Sequence, residues 1–308
     1  MLYCMLRDNY GTFVPFNTGI LESERYCLVH PSPDFYPDGI HVRTPEYKYC
    51  LPQTVSIVIC TYGRPESLND TLESLTKQTY RDFEVLLVTE KGNLSELRDK
   101  GLRSSCGDVI CFIDDDVYCP PTWLESVTKS FREGVVGVTG PTWITKDYRQ
   151  NRDIIKYKGL RKAHDAFFGV PSRPGHLSET GAPSMASNDE YCEYEGSVQY
   201  LECCNMSVKR KEALDVGGFD SIYTKTAEWC EVDLSLKLSK KGQFMFSQHA
   251  ALYHRPSKAG VYKFRLQTSH RWKNFITFQK RWVKSSPLTY IYRGFIWTYF
   301  KMKDLRIV

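Results

Sequence analysis

Three consecutive aspartates, Asp114–Asp116, follow the apolar run "DVICFI" (108–113). Adjacent carboxylates repel one another and are costly to bury. Two arrangements make such a run intelligible. One is an Asp-x-Asp pair on a hard divalent cation, with phosphate oxygens of a substrate completing its shell. The other is a turn whose aspartates cap the next helix. The chain has no GxxxxGK[ST] phosphate loop and no GxGxxG turn. "CTYGRP" (60–65) offers one glycine and one arginine, so phosphates bound here need a cation for most of their neutralisation. A second acidic group lies in "AEWCEVDLSLKL" (227–238). Glu231 stands at the start of an amphipathic helix, where the helix N-terminus favours an ionised carboxylate. Glu228 is three residues earlier, and an acidic helix cap is the plain reading of Glu231 taken alone. Asp233 reads as a cap or loop support. The vicinal Cys203 and Cys204 lack a second pair and read as packed thiols rather than a soft-metal site. His164, His176 and His249 carry no assignment.

The elements that must position these groups follow from periodicity. "TVSIVIC" (54–60), "FEVLLVTE" (83–90), "DVICFI" (108–113) and "GVVGVTG" (134–140) read as strands buried on both faces. Helices are expected from Pro65, over 93–105 with Ser95 near the cap, and over 120–133. The alternation predicts an α/β domain with a Rossmann-like, mainly parallel sheet flanked by helices. Ligands in such sheets bind beyond the carboxyl ends of the strands, which singles out Thr61–Arg64, Glu90 and Asp114–Asp116. Residues 145–200 lose the rhythm and read as loops. A helix is expected to resume at "SVKRKEALDVGGFD" (207–220), another spans 231–242, and "QFMFSQHAALYH" reads as one strand ending at His254. Residues 1–52 form an irregular N-terminal extension. The body of the chain is 53–256, divided into a part over 53–142 and a part over 143–256. Residues 257–308 form a helical C-terminal extension.

Several segments, in this order, resemble the family 2 glycosyltransferases: "VSIVICTYGRPESLNDTLESLTKQTYRDFEVLLV", "LRDKGLRSSCGDVICFIDDDV", "CCNMSVKRKEALDVGGFD", "EWCEVDLSLKLSKKG" and "ALYH". The resemblance covers roughly residues 54–256 and implies a GT-A fold. It also implies inverting transfer of a sugar from a nucleotide-diphosphate sugar, a UDP-sugar by family frequency, to a hydroxyl of a glycan, lipid-linked or protein-linked acceptor. By position it puts Thr61, Tyr62, Arg64, Glu90, Arg98, Asp114 and Asp115 around the nucleotide sugar. It puts Asp114, Asp116 and His254 on Mn2+ or Mg2+, and Glu231, with Glu228 as competitor, in the role of base. Trp229, Asn205 and Met206 fall on the acceptor or sugar side. Glu90 replaces the usual Asp, Asp99 a usual Asn, and Cys230 a common Glu. Two other classes compete. A sugar-nucleotidyltransferase calls for a Gly-rich activating loop that "TYGRP" is not, and a non-catalytic binding module needs no base.

Charge adds a last feature. The total is +5 over 308 residues, yet residues 255–308 hold 13 Lys and Arg against Asp304 alone, a net of +12. The remainder is therefore −7, and the tail also holds 12 aromatic residues. Two amphipathic helices are expected there, with stripes at 272, 275, 276, 279, 282 and 283 and at 288, 291, 292, 295, 296, 299 and 300. They fit an anionic membrane surface, or packing on the catalytic domain or a second subunit. No nucleic-acid motif is present. Eleven cysteines, an odd number without a CxxC, read as free thiols and a reducing, cytoplasmic compartment. No signal peptide or membrane-spanning run is expected.

Overall fold

The structure is a computed structural model that describes residues 2–7, 13–15, 54–144, 158–184, 192–255 and 268–305. Four β-branched runs form the expected strands. They are β3 (Val55–Cys60), β4 (Phe83–Val88), β5 (Val109–Ile113) and β7 (Val135–Thr139). Strand β1 (Leu2–Arg7) pairs antiparallel with β4, and β2 (Phe13–Pro15) pairs with β1. The described part of the N-terminal extension is thus regular; most of 1–52 lies outside the described residues.

The nine-stranded sheet runs β2-β1-β4-β3-β5-β10-β7-β11-β9, completed by β9 (Gly196–Val198), β10 (Asn205–Lys209) and β11 (Gln243–Phe246). Strands β4, β3, β5, β7 and β11 share one direction, whereas β10 is antiparallel to both neighbours in the middle of the sheet. This corrects the helix expected from Ser207. The helical spacing begins only with α5 (Arg210–Asp215), and Ser207–Lys209 belong to β10. A three-stranded sheet of β6 (Val117–Tyr118), β12 (Leu252–His254) and β8 (Thr142–Ile144) sits beside the main one. The single strand expected over 243–254 is therefore two strands in different sheets.

Alternation within strands sorts the core into two layers. Val55, Ile57, Ile59, Cys111 and Ile113 face α1 (Pro65–Thr76) and α3 (Trp123–Ser130). Val58, Ile110 and Phe112 face the layer of α2 (Leu94–Ser104) and α6 (Cys230–Leu238). Helix α2 is capped by Asn93, whose side chain accepts from Ser95 N; Ser95 itself donates to Asp220 O. Gly101 lets α2 approach the sheet, since a Cβ there would lie 2.3 Å from Val58 Cγ1. Helix α4 (Lys158–Phe167) precedes the loop to β9.

The tail forms α7 (Thr268–Trp282) and α8 (Pro287–Asp304). Helix α7 is built into the body. Its Phe275, Phe278, Asn274 and Gln279 are buried, and Gln279 donates to Thr180 O at 2.8 Å. Of the two expectations for the tail, packing on the catalytic domain describes α7. The stripe read for α8 splits: Tyr292 and Phe300 face inward, whereas Ile291 and Phe295 face out. Among the described residues no helix is long and apolar enough to cross a membrane.

Candidate active site

The site is assembled from the carboxyl ends of strands, where backbone direction changes and side chains escape the sheet. Strand β3 ends at Cys60, and Gly63 turns the chain in the left-handed region at φ 68°. That turn places Arg64 at the N-cap of α1, with its guanidinium over the aspartates that leave β5. Arg64 Nη1 is 3.0 Å from Asp116 Oδ2, and Nη2 is ion-paired with Asp115 Oδ1. Thr61 Oγ1 donates to Asp115 Oδ2 at 2.5 Å. Asp115 is fully buried, and burial pushes its carboxyl up to about 6 against the pull of Arg64 and Thr61. Tyr62 is exposed beside this cluster.

The small sheet supplies the third member. Residue His254 of β12 pairs with Val117 of β6, and Arg255 N donates to Asp116 O at 2.8 Å. His254 Nε2 thereby stands 3.0 Å from Asp116 Oδ1 and 3.8 Å from Asp114 Oδ2. One donor atom from each of Asp114, Asp116 and His254 falls within 4.8 Å of the others. Two carboxylates and an imidazole converging so closely fit a divalent cation. Arg64 and Arg98 place positive charge beside the same aspartates.

Arg98 on α2 joins this cluster to the acidic group. Its Nη2 is 3.7 Å from Asp114 Oδ1, and its Nη1 lies 3.5 Å from Cys230 Sγ at the first turn of α6. Glu231 follows, with Cys230 Sγ 3.5 Å from its Oε2. Burial pushes the Glu231 carboxyl above the ordinary Glu range, and Arg98 pulls it back. The expectation that the helix terminus would set its ionisation is thus outweighed by burial. Asp114–Asp116, His254, Arg98 and Glu231 form one continuous site.

The loop entering α6 is strained. Lys225, Ala227 and Trp229, none of them glycine, have φ of 58°, 51° and 78°. Each such residue costs on the order of 1–3 kcal/mol and persists only where its surroundings hold it. Here α7 does the holding. Asn274 Oδ1 accepts from Thr224 N and its Nδ2 donates to Thr224 O, both at 3.0 Å. Arg271 Nε is 2.8 Å from Glu228 Oε1, Thr226 Oγ1 donates to Glu228 Oε2 at 2.5 Å, and Trp229 stacks on Phe278 at 4.5 Å. Buried Asp233 accepts from Trp282 Nε1 at 2.7 Å, Arg281 Nη1 at 2.9 Å and Tyr223 OH at 3.1 Å.

Several sequence-derived assignments change. Asn205 is fully buried, accepting from Trp123 Nε1 and donating to Ala250 O and Pro141 O, so its side chain ties the two sheets together. Met206 lies in the core. Neither presents a side chain to an acceptor or sugar. Trp229 spends one ring face on α7. Glu228 is engaged by Arg271 and Thr226, unlike Glu231. Glu90 is ion-paired with Lys100, which holds its carboxyl below the usual range. Asp99 accepts from Phe219 N and Arg103 Nε and serves the fold. Cys203 and Cys204 are free thiols, as are Cys60, Cys106, Cys111, Cys119, Cys192 and Cys230. Sequence reasoning missed Arg271, Asn274, Arg281 and Trp282, because no local pattern marks a contact some fifty residues away.

The glycosyl transferase family 2 model matches residues 56–91 and 89–178. Among curated proteins, the chain is 26% identical over 200 residues to a glucosyl-dolichyl phosphate glucuronosyltransferase of Haloferax volcanii, a match covering 54% of this chain and 56% of the relative. The chain thus spans little more than half that relative's length. It is 23% identical over 239 residues to the amylovoran biosynthesis glycosyltransferase AmsB of Erwinia amylovora, covering 67% and 71%. Among solved structures, a mannosyltransferase from Pyrobaculum calidifontis in complex with GDP-Man and Mn2+ superposes at a TM-score of 0.48 and 12% identity, over 83% of this chain and 72% of that one.

Proposed function

We propose that this chain, which belongs to the family 2 glycosyltransferases, moves a sugar from a nucleotide-diphosphate sugar to an acceptor hydroxyl with inversion. The observation that carries the reading is Arg98, which touches Asp114 of the cation-competent cluster on one side and the Cys230–Glu231 turn on the other. Donor phosphates and an acceptor base need to sit that close for a single displacement.

Asp114, Asp116 and His254 would hold the cation. An imidazole among oxygen donors favours Mn2+ over Mg2+, which prefers an all-oxygen shell. When bound, that ion supplies neutralisation of the leaving diphosphate. The chain's own groups do the rest. Arg64 and Arg98 offer guanidinium donors to phosphate oxygens. Thr61 and Asp115 line the ribose and sugar side, and Tyr62 with Glu90 lies toward the base. Glu231 takes the acceptor hydroxyl proton as the acceptor oxygen bonds the anomeric carbon and that carbon's bond to the diphosphate oxygen breaks. Raising the Glu231 carboxyl above its ordinary range strengthens it as a base.

A UDP-sugar is the proposed donor. The acceptor is a growing glycan, and the name of the Haloferax relative supports a lipid-linked one, with the enzyme peripheral at a membrane. The test is a screen of nucleotide sugars that follows nucleoside diphosphate release with and without Mn2+. We expect Mn2+-dependent release from one donor and its loss in Asp116→Asn. Release from none, or full transfer by Asp116→Asn, would overturn the mechanism.

A further inference from the structure

The outer face of helix α8 is unlike that of a water-facing helix. Such a helix turns charged residues outward, whereas the outer face of α8 carries Tyr290, Ile291, Phe295 and Trp297. Tyr290 is 62% exposed and the other three about half. Phe167 of α4 adds to this face. It stacks edge-on against Phe168, whose ring lies 5.7 Å from Phe295, and is itself 61% exposed. Contiguous apolar surface of this kind marks an interaction site.

The cations around it say what kind. Lys301 Nζ lies 5.7 Å over the Trp297 ring, and the Arg293 guanidinium 5.3 Å over Tyr290. Along 284–305 the charged residues are Lys284, Arg293, Lys301, Lys303 and Asp304, and Asp304 Oδ2 accepts from Thr268 Oγ1 at 2.6 Å. Trp and Tyr beside long cationic side chains suit the boundary between headgroups and acyl chains. There the rings enter the apolar side and the ammonium groups stay with phosphates. A second copy of the chain would instead bring like charges face to face.

We propose that the outer face of α8, with Phe167, is an in-plane docking surface for an anionic lipid bilayer. The surface stands on its own residues. Its consequence, delivery of a lipid-carried acceptor to the site, rests on the transfer reading above. Arg271 ties the two regions together, since its guanidinium packs 5.1 Å over Phe300 of α8 while its Nε holds Glu228.

Flotation of the full chain tests this, using vesicles of equal parts phosphatidylcholine and phosphatidylglycerol, and vesicles of phosphatidylcholine alone. We expect the chain to rise with the mixed vesicles, about tenfold less with the neutral ones, and less at high salt. The outward-facing double substitution Ile291→Asp/Trp297→Ser is expected to abolish flotation with circular dichroism and nucleoside diphosphate release unchanged. Three results would overturn the proposal: wild type staying with the unbound fraction, the double variant floating as well as wild type, or the double variant converting a dimer to a monomer in light scattering. Absent diphosphate release in every sample would instead count against the transfer reading and leave the flotation result standing.

Discussion

At the scale of single residues, Glu231 and Glu84 are both carboxyls whose proton affinity is set by burial, one in the site and one in the fold. For Glu231 burial outweighs Arg98, so the base loses its ionised form at a higher pH than an ordinary glutamate. The acidic limb of kcat is therefore expected above about pH 4.3. Glu231→Gln should lower kcat by about 100-fold or more and abolish that limb; an unchanged limb would reassign the base. Glu84 is buried in β4, where it accepts from Ser56 Oγ at 2.5 Å and Cys106 N at 3.0 Å through Oε1. Its Oε2 has no hydrogen-bond partner among the described residues. Burial raises this carboxyl's proton affinity above that of the unfolded chain. The stability it contributes is full below about pH 4.3 and is lost as the pH rises through the folded value. Glu84→Gln keeps the Oε1 acceptor and removes the charge. Its Tm is expected to gain on wild type as the pH rises above about 4.3 and to stop gaining once the folded value is passed, and a difference that stays constant from about pH 4.3 to neutral would refute the assignment. The residue types at the strand ends were readable because a run of aspartates directly after a buried strand is costly unless something compensates it. What Asn205 does was not, since its partners Trp123, Pro141 and Ala250 come from distant parts of the chain.

At the scale of elements, α7 acts as a clamp on the strained loop that carries Glu228 and leads to Glu231. Arg271→Ala removes the ion pair to Glu228 at the edge of that clamp. We expect kcat to fall about tenfold with the KM for donor little changed, and Arg271→Lys to recover part of it. A purely structural role would lower Tm and leave kcat per folded molecule intact. Asn274→Ala removes a fully buried side chain that satisfies both N and O of part-buried Thr224. It should destabilise by about 2–3 kcal/mol, measured by urea unfolding. Periodicity found the helical character of 272–283, and the buried Gln279 inside its apolar stripe could have hinted at a partner. Neither says which surface the helix covers.

At the scale of the whole molecule, the C-terminal extension divides into two roles that its composition blurred. Ending the chain at residue 265 removes Phe275 and Phe278 from the core and leaves buried Asp233 without Arg281 and Trp282. Lys237 Nζ at 3.3 Å and Tyr223 OH still face Asp233, so the larger loss is the two buried phenylalanine rings, about 3–5 kcal/mol each, and that truncation is expected to give a chain lacking near-UV circular dichroism and a cooperative melt. Ending it after Lys284 removes only α8, whose buried residues are Thr289, Tyr292 and Phe300. This shorter deletion should retain a cooperative melt at lower Tm. Equal melts for the two truncations would mean that α7 does not belong to the folding unit.

By itself the sequence determined the alternating strands and helices up to residue 140, the strand ends at which chemistry is gathered, and the cationic, aromatic character of the tail. These are readable because a strand covered on both faces must be apolar throughout and a helix start needs its cap within a few residues. The family resemblance already brought His254 to Asp114 and Asp116, the latter 138 positions away; tertiary structure alone decided that β10 lies antiparallel between β5 and β7, that Arg98 links the aspartates to Glu231, and which aromatic residues of the tail face outward. Each depends on sheet register and crossover, which bring together residues whose local patterns carry no record of one another.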